Sequence, residues 1–294
     1  MTTAAVGVPA RAKGESPLRR FARRFGRERS AVVATGFLLL IIACALAAPL
    51  LAPYEPDAQS LGDRLQAMSW NHPFGTDDLG RDVLSRLLFA SRVSLIAAVQ
   101  ATAIGVVLGV PIGLVAGYVQ GFVDTLVSRV ADAIMAIPAL LLALAIVGIL
   151  EPNLTSAMIA IGVVYAPNLF RVTRAATISV REETFVEAAR SVGSSTGRII
   201  TGHVVPNILS PLVVQISLSM GFAILFEASI SFLGLGVQSP DASWGSMLGR
   251  STRFPESPHL VVIPGIAILL TVLSFNVIGD GIRDSLGKER RRAE

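Results

Sequence analysis

The chain has 294 residues, of which 52% are hydrophobic and only 16% charged, against about 25% charged in an ordinary soluble domain. With a mean hydropathy of +0.63, it carries more apolar surface than a soluble globule of this length can hide. Net charge is +4, but the arginines stand in blocks beside apolar runs, which fits the orientation rule for membrane chains and excludes a nucleic-acid partner; one cysteine, Cys44, and three histidines exclude a disulfide framework and a thiolate metal cluster.

Residues 1–30 form a polar segment with Arg19, Arg20, Arg23, Arg24, Arg27 and Arg29, as expected of a cytoplasmic flank. Residues 31–52 are uncharged and long enough to cross a bilayer. A cleaved signal fits less well, because the apolar run continues past Cys44 to Leu51. Residues 53–94 are read as extracytoplasmic. Within them, 73–94 is predicted as an amphipathic helix from the spacing of Leu79, Val83 and Leu87, with Thr76, Asp77 and Asp78 as cap and first turn. Further spans are predicted at 95–116, 130–150, 154–169, 208–232 and 260–278, and the tail 283–294 is read as cytoplasmic. Residues 171–206 form a polar segment between the fourth and fifth spans.

With six crossings, most basic residues fall on the side of the termini. The outer side keeps Arg64, Arg81, Arg86, Arg92, Arg250 and Arg253. The fold class is therefore all-α and polytopic, with about six transmembrane helices.

An energy source is missing from the chain. The one Gly-Lys pair, Gly287-Lys288, lacks the spacing of a phosphate-cradling loop, and no hydrolase or metalloprotease motif occurs. Carboxylates inside the spans are sparse, which argues against a proton-coupled carrier. Asp132 is expected to pair locally with Arg129. Glu227 is the deepest carboxylate, and with Ser231 it is a candidate for the substrate path or gate; the alternative is a buried hydrogen bond between helices.

The most informative stretch is EAARSVGSSTGRIITGHVVP, residues 187–206. Phe185, Val186, Ala189 and Val192 can form an apolar helix edge, Gly193 breaks the helix, and Ser194 or Ser195 can cap a second one. Two short helices joined by glycine make a docking elbow. The spacing resembles the coupling loop of ABC importer permeases, with Glu187, Ala188, Ala189 and Arg190, then Gly193, then Pro206; Val205 is a conservative departure from the family's leucine. FGTDDLGRDVLSRLLFASRVSL (74–95), FEASISFLGLG (226–236) and PDASWGSML (240–248) resemble segments of the dipeptide, oligopeptide and nickel permeases, and the extra N-terminal span and the length resemble that group's C-type subunit rather than its B-type partner.

The resemblance implies a type I ABC importer permease fold with an extra N-terminal helix and a core at 95–282. It implies a non-catalytic subunit of the bacterial cytoplasmic membrane that passes di- or oligopeptides inward by alternating access. Implied partners are a homologous B-type permease, cytoplasmic ABC ATPases as separate chains or one fused chain, and an extracytoplasmic binding lipoprotein. ATP and magnesium are expected on the ATPase and no cofactor on this chain. Nickel or another small solute is the rival cargo. Asp77, Asp78, Arg81, Asp82 and Trp244 are candidate binding-protein contacts; the plainer reading of the four charged ones is a solvated helix face with i,i+4 pairs, and Trp244 is read as an interfacial anchor.

Overall fold

A computed structural model describes residues 17–290; residues 1–16 and 291–294, which complete the expected cytoplasmic flank and tail, lie outside them. The described chain is a bundle of α-helices. In order these are α1 (Pro17–Phe25), α2 (Arg29–Leu46), α3 (Ala48–Leu51), α4 (Val83–Val119), α5 (Gly121–Ala136), α6 (Ala139–Leu150), α7 (Leu154–Arg181), α8 (Thr184–Ser191), α9 (Thr196–Ile199), α10 (Val205–Phe232), α11 (Trp244–Ser251) and α12 (His259–Arg290). Five helical stretches are long and apolar enough to cross a membrane, and the bent pair α5–α6 supplies a sixth.

The helix predicted over 73–94 begins only at Val83. Asp82, rather than Thr76 to Asp78, is its cap: the Asp82 carboxylate accepts the Ser85 amide at 2.7 Å. From there α4 runs without interruption to Val119, so the predicted amphipathic helix and second span are one rod about 55 Å long. The predicted third span is not straight. Ile137, before Pro138, is driven to an extended conformation (ψ 133°), and α5 and α6 meet at a bend of 93°. The fourth span likewise continues beyond residue 169 to Arg181, so much of the segment expected as loop is helix.

Small residues bring the helices together. Gly109, Gly113 and Gly117 of α4 lie so close to α7 that an added Cβ would fall 2.4 Å from the Ala166 carbonyl oxygen, 2.6 Å from that of Phe170 and 2.7 Å from that of Arg174. Such backbone contact is how helices gain dispersion energy where lipid removes the hydrophobic drive. The main core continues the theme with Ala97, Ala98, Ala101, Ala157 and Ala160, filled out by Ile161, Ile224, Ile230 and Trp244. Large apolar side chains such as Leu39, Leu108, Leu141, Ile149 and Leu269 point outward, the inverse of a soluble bundle.

The connectivity gives the bundle two distinct ends. At one, the elbow end, Phe25 of α1 lies against Gly281 of α12, the Arg24 guanidinium donates to the Ser285 carbonyl at 3.4 Å, and α8 and α9 form the elbow. At the other, the cap end, residues 53–82 and α11 cover the starts of α4 and α12 and the end of α10.

Candidate functional site

At the elbow end, α7 stops at Arg181 and the chain turns into α8. Val186 is the buried foot of α8. It packs with Tyr118, Val180, Ile199, Val204 and Ile208, drawn from α4, α7, α9, the turn after α9 and α10. The Arg181 guanidinium lies 5.7 Å from the centre of the Tyr118 ring, within cation–π range. Gly193 ends α8 at φ +78°. Its N–H donates to the Arg190 carbonyl at 3.0 Å and the Ser194 N–H to the Ala189 carbonyl at 3.1 Å. Those two bonds make a Schellman cap, in which the left-handed residue is ordinarily glycine. Ser195 stands at the cap position of α9 but makes no side-chain cap bond, and one π-helical turn, Ile200–Val204, leads into α10.

The sequence-predicted elbow residues divide cleanly. Glu187, Ala188, Arg190, Gly193 and Pro206 are exposed, Ala189 is half-buried, and Val186 is sealed. The elbow thus offers a small, charge-flanked ridge on a hydrophobic foot.

The cap end is built differently. Gly75 and Gly80 adopt φ +75° and +72°, and a Cβ at Gly80 would fall 1.7 Å from the Ser60 carbonyl oxygen, so the turn before α4 closes only around glycine. Within it the Asp77 carboxylate accepts the Leu79 and Arg81 amides at 2.9 and 3.0 Å and the Arg81 Nε–H at 2.7 Å. Arg86 donates to Asp57 at 2.7 Å and to the Pro56 carbonyl at 2.9 Å. The second oxygen of Asp82 lies 3.0 Å from His72 Nδ1, and the His72 ring stacks on Tyr54 with centroids 4.8 Å apart. Arg81 and Asp82 are 1% and 2% exposed. The solvated helix face expected here is instead an interior ion and hydrogen-bond network, because the segment is a folded turn under residues 53–72.

Trp244 is also corrected. It is buried at the head of α11 rather than set at an interface, and its indole N–H donates to the Leu87 carbonyl at 3.3 Å. Gly245 and Gly249 let α11 lie directly on Ala228 and Phe232 of α10, and a reciprocal Ser243–Ser246 capping box starts the helix. Between α11 and the turn before α4 is a cavity of about 320 Å³, within the range of small-ligand pockets, whose lining includes Asp77, Asp78, Arg81, Ser231, Arg250 and Arg253.

Glu227 lies behind that wall, 1% exposed. Its carboxyl accepts hydrogen bonds from Ser231 at 2.7 Å and from Ser94 of α4 at 3.3 Å. Along α10 it is roughly 33 Å from the elbow, given 1.5 Å per residue from Val205, so the structure does not bring the two predicted sites together. Ser94 and Ser243 escaped sequence reasoning, as did Asp124, which forms a two-pronged ion pair with Arg174. Asp132 pairs with Arg171 at 2.6 Å and not with its sequence neighbour Arg129.

Comparison with known proteins agrees with this architecture. Residues 109–292 match the family of binding-protein-dependent transport system inner membrane components, and residues 16–67 match the N-terminal TM domain of oligopeptide transport permease C. The chain is 43% identical over 272 residues to a dipeptide transport system permease of Alkalihalophilus pseudofirmus, covering 92% of this chain and 90% of that one. It is 41% identical over 285 residues to a di/tripeptide transport system permease of Pseudomonas aeruginosa, covering 95% and 94%. A glutathione transport system permease of Salmonella typhimurium is 42% identical over 273 residues, covering 92% and 90%. Among solved structures, an inward-facing form of the MetNI methionine ABC transporter shares the fold over 69% of this chain and 97% of that chain, with a TM-score of 0.59 at 17% identity. The chain therefore belongs to the binding-protein-dependent transport system inner membrane components, as a multi-pass permease subunit with the N-terminal domain of oligopeptide transport permease C.

Proposed function

We propose that this chain is the C-type half of an ATP-driven importer of di- and oligopeptides. A homologous B-type permease completes the pathway, and an extracytoplasmic lipoprotein delivers cargo to the cap end. Cytoplasmic ATPases, which hold the ATP and magnesium, engage the elbow. The membrane is the bacterial inner membrane, with both termini and the elbow in the cytoplasm. The arginines of α1 at the elbow end support that orientation, and the names of the relatives support the cargo.

The observation that carries the reading is the construction of α8. Its ridge of Glu187, Ala188 and Arg190 is exposed while Val186 locks it to α4, α7 and α10, so a push on the ridge reaches three long helices at once. Coupling is then a mechanical contact, and this chain performs no hydrolysis.

Inverted membrane vesicles holding the whole assembly test the proposal. Glu187→Lys reverses charge at an exposed position and is expected to abolish stimulation of ATP hydrolysis by the peptide-loaded binding protein while the permease remains assembled. Stimulation at the unsubstituted level would refute the elbow assignment. Uptake that needs ATP and ignores an uncoupler is the expected pattern; uptake abolished by the uncoupler alone would identify a proton-coupled carrier instead.

A further inference from the structure

The carboxyl of Glu227 is surrounded by hydroxyls whose own oxygens are already in use. Ser94 Oγ accepts the Trp244 backbone N–H at 3.2 Å and donates to the carboxyl. Ser231 Oγ accepts the Val237 backbone N–H at 3.2 Å and also donates to it. Ser243 Oγ accepts the Ser246 N–H at 3.2 Å at the start of α11. Two backbone amides of the cap thus hang through two serines on one acid. An amide N–H can only donate and a carboxylate oxygen can only accept, so with Glu227 as the carboxylate each relay runs from amide to serine to carboxyl. Ser94 belongs to α4, Glu227 and Ser231 to α10, and Val237, Ser243, Trp244 and Ser246 to the cap, which is α11 with the segment 233–243 that leads into it.

We propose that Glu227 is a positioning residue that joins the cap to α4 and α10 as one rigid body, and that it acts by presenting acceptors at both carboxyl oxygens rather than by touching cargo. This rests on the importer reading for its effect on transport, but not for its effect on the cap. Without the carboxyl, the buried Ser94 and Ser231 hydroxyl protons would have no acceptor, each a substantial loss in a dry site. The close fit also depends on Gly236, where an added Cβ would fall 2.1 Å from Ser231 Oγ. A cap so tied moves with α4 and α10 when the permease rocks, and the surface it offers an extracytoplasmic partner keeps one shape.

Glu227→Gln is the discriminating substitution. It preserves size but turns one acceptor oxygen into an NH2 donor, which faces a serine whose proton then has no acceptor. In the assembled importer with Cys44→Ala, spin labels at Trp70→Cys and Gln238→Cys, both exposed, report the distance between the segment covering the α4 turn and the cap. The expected result is a single narrow distance in the parent, a broadened one in Glu227→Gln, and recovery in Glu227→Asp.

With binding protein loaded from a peptide digest, the concentration giving half-maximal ATP hydrolysis is expected to rise about tenfold in Glu227→Gln, the equivalent of one lost hydrogen bond. The maximal rate should change less than about twofold, a difference too small to register as the loss of such a bond. Should Glu227→Gln fail to accumulate, Ser94→Ala cuts one relay and is expected to shift both readouts in the same direction by a smaller amount. An unbroadened distance in the accumulating variants overturns the proposal, as does a loss confined to the maximal rate. If the parent assembly shows no stimulation by loaded binding protein, the importer reading falls, and the distance measurement alone decides the role of Glu227.

Discussion

The elbow and the cap both lay short helices across the ends of long ones, yet they are held by different means. Apolar side chains that interdigitate around Val186 hold the elbow, and the contact has no preferred bond direction. The cap sets Trp244 into the main apolar core, but it and the turn before α4 are also held by ion pairs and hydrogen bonds among Asp57, Asp77, Arg81, Asp82 and Arg86 and around Glu227, which work only in one register. An apolar foot can roll slightly as load is applied and remain buried, whereas a polar knot either keeps its geometry or breaks. That suits an elbow that transmits motion and a cap that keeps a shape.

The sharpest way to break the contrast is to cut one arm of the knot. Arg86→Ala removes the cation that half-exposed Asp57 shares with Asp77, although Asp77 keeps Arg81, and loss of the buried guanidinium's hydrogen bonds to Asp57 and the Pro56 carbonyl costs about 2–3 kcal/mol. The expected outcome is proteolytic cleavage within residues 53–82 at low protease concentration, while cleavage of the elbow stays at its parent rate. Equal sensitivity at both ends would show that the two are not independently held. At the elbow, Val186→Ala removes two buried methyl groups and is expected to cost about 1.5–2 kcal/mol. Here stimulated ATP hydrolysis should fall severalfold, with the cap distance unchanged. A shift of the cap distance in Val186→Ala would mean that apolar and polar ends are coupled more tightly than their construction implies.

How far each region could be read in advance depends on how its contacts lie along the chain. The elbow is contiguous: foot, ridge, glycine and proline all fall within residues 186–206, so spacing alone outlines it. The cap knot joins Arg86 to Asp57 and Ser94 to Glu227, pairs separated by tens of residues or more, and no local period marks such a pair. Charges at i,i+4 are ordinarily a solvated face, and Asp77 and Arg81 misled for that reason. The bend at Pro138 was hidden by precedent. Pro111, Pro167, Pro211 and Pro264 all sit inside unbroken helices, as prolines in membrane helices often do. Pro138 differs in the packing of the helix beyond it: Ala143 and Val147 of α6 are fully buried in the main core, and α6 reaches that position only by turning away from α5.

The smallest expected effect tests whether the elbow needs its sharp end. Gly193 makes no contact that a Cβ would disturb, so Gly193→Ala isolates the backbone: an L-residue at φ +78° costs about 1–2 kcal/mol. The cap of α8 then frays, while the foot at Val186, two turns earlier, stays in place. If the ridge transmits force through the foot alone, stimulated hydrolysis should remain within about threefold of the parent, well short of the roughly 5- to 30-fold shift that the strain would allow if the turn itself carried the load. A loss as large as that of Val186→Ala would place the working contact at the turn itself, around Val192 and Gly193, and would make the elbow a directional device like the cap rather than its apolar opposite.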